Sequence, residues 1–345
     1  MLSERKKIQV RRIMELKEIL GAEILAHYYQ RSEVKGLSDF VGGSRSILRR
    51  AAVSRARALI VCGVDFMAAA AARLRPDLPV IAPRQDAGCP YSRAAGPELA
   101  REARLRDPGL ILAAGLKARP DVIAHCDLDL SLEAASDASL DSAPAAGFRA
   151  PSSGIRIPDS VFFSPAPAPA FHLRASAGSA SRRVAILPGL TGGPEGEAPG
   201  ERLCGIAPAC AIHAQTTAEE AARARATYPG ALLGANVLCL PEVREACDFS
   251  GDSDGLARLV ASLPAREYVL FCEAGLSETL EGRHPGSVFR TTETEMFCPN
   301  MKLTNVKDVL RALEALEAGA FPEAAALGPL EAGRGGGASP AGGPL

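Results

Sequence analysis

At 345 residues, with 47% hydrophobic and 23% charged residues, the chain has material for two or three domains and for a real hydrophobic core. A formal net charge of −1 excludes the basic excess that nucleic-acid or anionic-membrane binding draws on, so the expected ligand is a small molecule. Nine cysteines, scattered singly and with no Cys-x-x-Cys pair, argue against a disulfide framework and against zinc-ribbon or ferredoxin spacings; they point to buried thiols beside a metal or catalytic site.

The opening stretch MLSERKKIQVRRIMELKEILGAEILAHYYQ mixes charge with apolar residues at helical spacing. It holds no uninterrupted apolar segment of signal-peptide or membrane length, so the expected location is the cytoplasm, with no membrane partner. To about residue 133, helical patterns alternate with short apolar runs at 58–64 (ALIVCGV), 79–83 (PVIAP) and 110–115 (LILAAG), the rhythm of an α/β fold. From about 134 to 203 the text is rich in Ala, Pro, Ser and Gly, with strands expected only at 159–164 and 182–189. The α/β rhythm returns after 204, a helix is expected over 305–319, and the Gly/Pro-rich end at 331–345 reads as disordered.

The chain contains an internal repeat. Asp39-Phe40-Val41-Gly42-Gly43-Ser44 reappears as Asp248-Phe249-Ser250-Gly251-Asp252-Ser253, and each copy is followed at nearly the same spacings by two cysteines, Cys62 then Cys89, and Cys272 then Cys298. Cys62 and Cys272 end apolar runs and read as buried strand thiols, since free cysteine packs as a small hydrophobe. Asp39 and Asp248 each precede a helical pattern, where capping and turn formation account for them as well as chemistry does. Cys89 (DAGCP) and Cys298 (EMFCP) lie in polar loops instead, and Cys210 in GIAPACAIH forms a third loop of similar kind. Three α/β units around a pseudo-threefold axis would bring these three thiols to one point, a donor set suited to a soft metal or an iron–sulfur cluster.

These pieces, ILAHYYQ (24–30), SDFVGGS (38–44), VCGVDFMAAAA (61–71), DAGCP (86–90), CAIH (210–213), CDFSGDSDG (247–255), CEAG (272–275) and CPNMK (298–302), resemble the quinolinate synthase family in order and spacing. The resemblance covers about residues 24–90 and 205–310. It implies three similar three-layer αβα units in a triangle: a first unit over 1–88 with a C-terminal helix at 303–318 packing back on it, a second over 89–209 carrying the Pro/Ala/Ser-rich insertion, and a third over 210–302. It implies a 4Fe-4S cluster held by Cys89, Cys210 and Cys298, with one iron not ligated by cysteine and able to act as a Lewis acid. The implied reaction condenses iminoaspartate with dihydroxyacetone phosphate to quinolinate in de novo NAD biosynthesis, with an oxidase or dehydrogenase supplying the iminoaspartate. His27, Tyr29 and His213 match catalytic positions of the family, and Ser44 and Ser253 match substrate-binding ones.

The chain departs from the family pattern at several points. Tyr28 replaces an asparagine, Gly43 an aspartate, and Cys272 the threonine before Glu273; Asn236-Val237-Leu238-Cys239 stands where the family has His-Pro-Glu-Cys, and Ala113-Ala114-Gly115 where it has Tyr-Val-Asn. The phosphate loop Thr-Ser-Ser-Asn-Ala has no counterpart after His125, and Ser164-Pro165-Ala166-Pro167 stands where the family has Pro-Asp-Gln-Asn-Leu-Gly. Beside the family reaction, the residues leave open a diverged enzyme using the same open iron on another small carboxylic acid, and a non-catalytic iron–sulfur sensor.

Overall fold

The computed structural model describes residues 4–93, 96–106, 111–126, 128–129, 184–187, 210–263 and 266–320. The expected strand at 159–164, the rest of the Ala/Pro/Ser-rich segment apart from 184–187, and the tail at 331–345 lie outside the described residues.

The first region runs α1 (Glu4–Leu20), β1 (Ala22–His27), α2 (Ser32–Lys35), β2 (Phe40–Gly42), α3 (Ser44–Val53), β3 (Ala58–Cys62), α4 (Asp65–Leu74) and β4 (Val80–Ile81). The middle holds α5 (Pro90–Arg93), α6 (Pro97–Arg106), β5 (Ile111–Ala114), α7 (Pro120–Ile123), β6 (Leu128–Asp129) and β7 (Val184–Leu187). The last region runs α8 (Ala218–Thr227), β8 (Leu232–Asn236), α9 (Pro241–Ala246), β9 (Phe249–Gly251), α10 (Ser253–Ser262), β10 (Glu267–Phe271), α11 (Ala274–Arg283), β11 (Val288–Arg290) and α12 (Val306–Glu317).

Every strand pairing is parallel. The first and last sheets have the same order, β2-β1-β3-β4 and β9-β8-β10-β11, and the middle sheet runs β6-β5-β7. This is the arrangement expected of strands that read as unbroken apolar runs, because helices cover both faces of such a sheet. All six residues of β1 and all five of β3 are buried. One core joins the first and last regions through Leu25, Leu59, Leu232, Phe249, Tyr268 and Leu270. On the other face of the first sheet, Ile13 and Leu16 of α1 and Val309 and Leu313 of α12 pack over Ile24 and Ile60. Asn305 starts α12 with a reciprocal capping box to Asp308, and Gly319 closes it with a positive φ of 64°, a conformation glycine adopts without strain.

One reading of the repeat is corrected. Asp39 and Asp248 do not cap the helices that follow them. Each stands at the start of a strand and clips the neighbouring strand: the Asp39 carboxylate accepts from Ile24 N at 2.8 Å while Asp39 N donates to Ile24 O at 2.9 Å, and Asp248 does the same with Leu233 at 2.8 Å and 2.8 Å. Lys17 pairs with the first carboxylate at 2.7 Å and Arg225 with the second at 2.8 Å. Helix α10 is capped instead by Asp252, which accepts from Gly255 N at 2.7 Å.

Candidate active site

In a parallel sheet the chain leaves every strand at the same edge, so the loops that follow the strands gather there and form the usual ligand crevice. A cavity of about 280 Å³ lies at these loops. Its wall includes Cys89, Cys210 and Cys298 together with His27, Tyr29, Ser44, His213 and Ser253, so all eight nominated residues share one space.

Each of the three cysteines begins a single helical turn. The carbonyl of Cys89 accepts from Arg93 N at 3.0 Å, that of Cys210 from Ala214 N at 2.9 Å, and that of Cys298 from Lys302 N at 3.2 Å. Such a turn also aims backbone amides at the sulfur: Ser92 and Tyr91 donate to Cys89 and Met301 to Cys298, which favours the thiolate against the burial that pushes both thiols up, Cys298 to about 11. All three are half-buried and free. Among the described residues no group of three His, Cys, Asp or Glu closes to the geometry of a single bound ion. The three sulfurs are near enough for the charge of Cys210 to act on Cys89, and those of both to act on Cys298.

Both histidines are buried. Burial, with the Lys117 charge next in importance, lowers each to about 3, so both imidazoles are neutral at pH 7. His27 Nδ1 accepts from Tyr29 N at 3.2 Å, which puts its proton on Nε2. His213 Nδ1 lies 3.3 Å from the Cys210 sulfur.

Tyr29 is the centre of a buried polar group. Its hydroxyl lies 2.7 Å from Ser253 Oγ and 3.0 Å from Cys272 Sγ, and accepts from Asn236 Nδ2 at 3.2 Å. Burial holds the phenol well above its ordinary value, so it stays protonated and can donate. Cys272 is the buried thiol expected, part of the core that joins the first and last regions and pushed up to about 12 by burial, but its sulfur also meets Tyr29, Asn236 and, at 3.9 Å, His213 Nε2. The apolar pattern of YVLFC gave no sign of this, because every partner is distant in sequence. Cys62 is the plain strand thiol expected, fully buried and pushed up to about 12.

Two features went unread in the sequence. Lys117 lines the cavity, lies over the Tyr91 ring at 5.1 Å, and is the leading charge acting on both histidines. Its only signal was a lone lysine just past a strand. Asp254 is buried and accepts from Gly43 N, Ser46 N and Ser46 Oγ, tying α10 to the start of α3. Val237 and Leu238 line the wall with apolar groups.

Comparison with known proteins places these observations in a family. The family described as "Quinolinate synthetase A protein" matches residues 11–325. Curated proteins similar to the chain include a quinolinate synthase of Desulforudis audaxviator, 30% identical over 311 residues that span 88% of this chain and 90% of that one. Another, from Methanoregula boonei, is 30% identical over 87% of this chain and 88% of its own, and one from Thermodesulfovibrio yellowstonii is 29% identical over 88% and 89%.

Proposed function

Since the chain belongs to the quinolinate synthetase A family and is a quinolinate synthase, we propose that its cavity holds a 4Fe-4S cluster on Cys89, Cys210 and Cys298 and there joins iminoaspartate to dihydroxyacetone phosphate. The observation that carries this reading is the meeting of eight residues, drawn from five separated stretches of chain (27–44, 89, 210–213, 253 and 298), in one cavity wall. The donor set fits the cluster: three half-buried thiols, each opening a turn, with amide donors to sulfur and a lysine nearby to balance charge. When bound, the cluster supplies a Lewis-acidic iron free of cysteine, which suits loss of water from a hydroxy acid.

The surrounding side chains divide the proton transfers between them. His27, protonated on Nε2, is a donor. With Nδ1–H directed at the Cys210 sulfur 3.3 Å away, His213 keeps Nε2 as an acceptor. Two neutral histidines in opposite tautomers provide an acid and a base at one pH, the separation of roles that general acid–base chemistry needs. Tyr29 fixes Ser253, and the two serines Ser44 and Ser253 begin α3 and α10 on the cavity wall, where their hydroxyls suit hydrogen bonds to the substrate. We extend the unit repeat to the middle region, giving three αβα units about a pseudo-threefold axis; β6-β5-β7 keeps the order of β2-β1-β3, and the Cys210 turn matches the other two. A reducing compartment such as the cytoplasm suits scattered single thiols, and iminoaspartate, unstable in water, calls for an aspartate-oxidising enzyme as its source.

The test is anaerobic purification, reconstitution with iron and sulfide, and an assay for quinolinate with iminoaspartate generated in place. Cluster-dependent quinolinate is expected, and Cys298→Ser is expected to abolish both the cluster absorbance and turnover. A well-formed cluster without quinolinate overturns the substrate assignment; unchanged iron and sulfide in Cys298→Ser overturns the ligand assignment.

A further inference from the structure

The loops that carry Cys89 and Cys298 share more than a turn. The backbone N–H of Cys89 donates to Asp65 Oδ1 at 3.1 Å, and that of Cys298 to Glu273 Oε1 at 3.3 Å. Each carboxylate stands at the beginning of the helix that follows the central strand pair, α4 or α11. At each helix start a backbone amide also ties the cysteine loop two residues before the thiol: Asp65 N to Ala87 O at 2.9 Å, and Ala274 N to Met296 O at 2.9 Å. A cation then closes each arrangement from the fourth residue after the cysteine. Arg93 pairs with Asp65 at 3.1 Å and Lys302 with Glu273 at 3.1 Å. One fixed offset along the chain carries Cys89 to Cys298, Arg93 to Lys302, and Ser44 to Ser253. The third turn carries Ala214 at the position of the cation.

We propose that Asp65–Arg93 and Glu273–Lys302 are positioning clamps that hold Cys89 and Cys298 ready to ligate the cluster, and that they set how firmly the cluster is kept. The proposal rests on the cluster reading above. The physical reason is geometric. The carboxylate spends one oxygen on the cysteine amide, so the loop cannot rotate without breaking a charge-assisted bond, and the cation, anchored in the cysteine's own turn, keeps the carboxylate there. The two clamps differ in exposure. The Glu273 and Lys302 side chains are 0% and 8% exposed, whereas Asp65 and Arg93 are 28% and 53% exposed, so the first pair is shielded from water and salt and the second is not. Glu273 Oε2 also accepts from Gly275 N at 2.8 Å, and Arg31 Nε donates to Lys302 O at 2.6 Å, so the buried clamp is held from both sides. The Cys298 arm is therefore the firm one and the Cys89 arm the more yielding.

The experiment compares the full-length wild type with two neutral-pair variants, Glu273→Gln/Lys302→Met and Asp65→Asn/Arg93→Met, and with Lys302→Arg. Changing both partners leaves no unpaired buried charge, so the apo fold is kept. After anaerobic reconstitution, the iron and sulfide content, the rate of iron release to a chelator and the electron paramagnetic resonance spectrum of the reduced cluster are measured beside the unfolding midpoint of the apo chain. Glu273→Gln/Lys302→Met is expected to release iron about 10-fold faster or more, with an altered spectrum and a similar apo midpoint, and Asp65→Asn/Arg93→Met about 3-fold faster. Lys302→Arg, which copies the Cys89 turn, is expected to stay within about 2-fold of wild type, a rescue that mere side-chain bulk does not supply. Release rates within about 2-fold of wild type for both neutral pairs overturn the proposal. Where the buried-pair variant fails to fold, the exposed pair decides by the same measurement. A wild-type chain that takes up no iron is a different failure, that of the cluster reading itself.

Discussion

His27 shows what burial does to one side chain. Its ring is buried at the end of β1 against the Tyr29 ring at 4.4 Å, and the charges of Lys117, Lys302 and Lys35 act on it, so a proton there is poorly solvated and finds no counter-charge. The folded value of about 3 against an ordinary 6.5 means that between those two pH values the unfolded chain holds a proton that the fold refuses. Stability from this group is complete above about 6.5 and is lost as pH falls toward about 3, with a slope of at most about 1.4 kcal/mol per pH unit. Asp254 and Glu273, raised by burial, work in the opposite direction, so the comparison has to isolate His27. Urea unfolding of the apo chain at pH 7 and pH 5 does this: His27→Gln is expected to lose about 2 kcal/mol less than wild type across the interval. Equal losses in the two chains mean that His27 is protonated in the fold.

At the scale of elements, the two aspartate clips have a cost that can be divided. Asp248→Ala leaves the buried Leu233 N–H without an acceptor and Arg225 without its carboxylate, a loss of about 2–4 kcal/mol. Asp248→Asn keeps an oxygen for Leu233 N–H and gives up the ion pair, so about half that loss is expected, and the Asp39 series is expected to rank in the same order. Equal losses for Ala and Asn in urea unfolding assign the whole effect to the ion pair and none to the strand clip. The clips also mark what the sequence made legible. Strands β3, β4, β5, β7 and β10 were readable because each lies in a short apolar run, whereas β1 lies in a stretch whose apolar residues fall at helical spacing; α12 was readable because its capping box and its apolar stripe lie within a few residues of each other. The three cysteine loops were readable because a thiol in a polar loop has no packing reason to be there. The partners of Asp39 and Asp248 lie one strand back in the sheet, those of Cys272 lie in three distant stretches of chain, and the Glu273–Cys298 bond crosses from the end of β10 to the loop after β11. Periodicity registers which face a residue takes; it carries nothing about which distant group waits on that face.

Across the whole molecule, the first and last regions are joined by a shared core and by one exchanged cap. Under the repeat, Gly43 corresponds to Asp252. Asp252 caps its own helix α10, whereas Gly43 has no side chain to cap α3. Asp254 of the last region supplies the missing cap, accepting from Gly43 N at 2.7 Å and Ser46 N at 3.1 Å, and a Cβ at Gly43 would meet its carboxyl carbon at 2.6 Å. The space and the hydrogen bonds of one capping carboxylate are thus filled from the other unit, beside the two serines that line the cavity. Gly43→Asp alone sets a second carboxylate against the first, and is expected to cost about 3 kcal/mol or more. Asp254→Ala alone strands two backbone amides and the Ser46 hydroxyl, at about 2–4 kcal/mol. In the double variant the new carboxylate takes the vacated place and caps α3 from within, so most of both losses is recovered and the coupling is about 3 kcal/mol in favour of the pair. Urea unfolding of the four chains measures that coupling. A recovered fold with slower quinolinate formation means that the exchanged cap also sets the distance between Ser44 and Ser253 across the cavity. Additive losses mean that the exchanged cap does not couple the two regions, and that the contact of Gly43 with Asp254 follows from the packing rather than directing it.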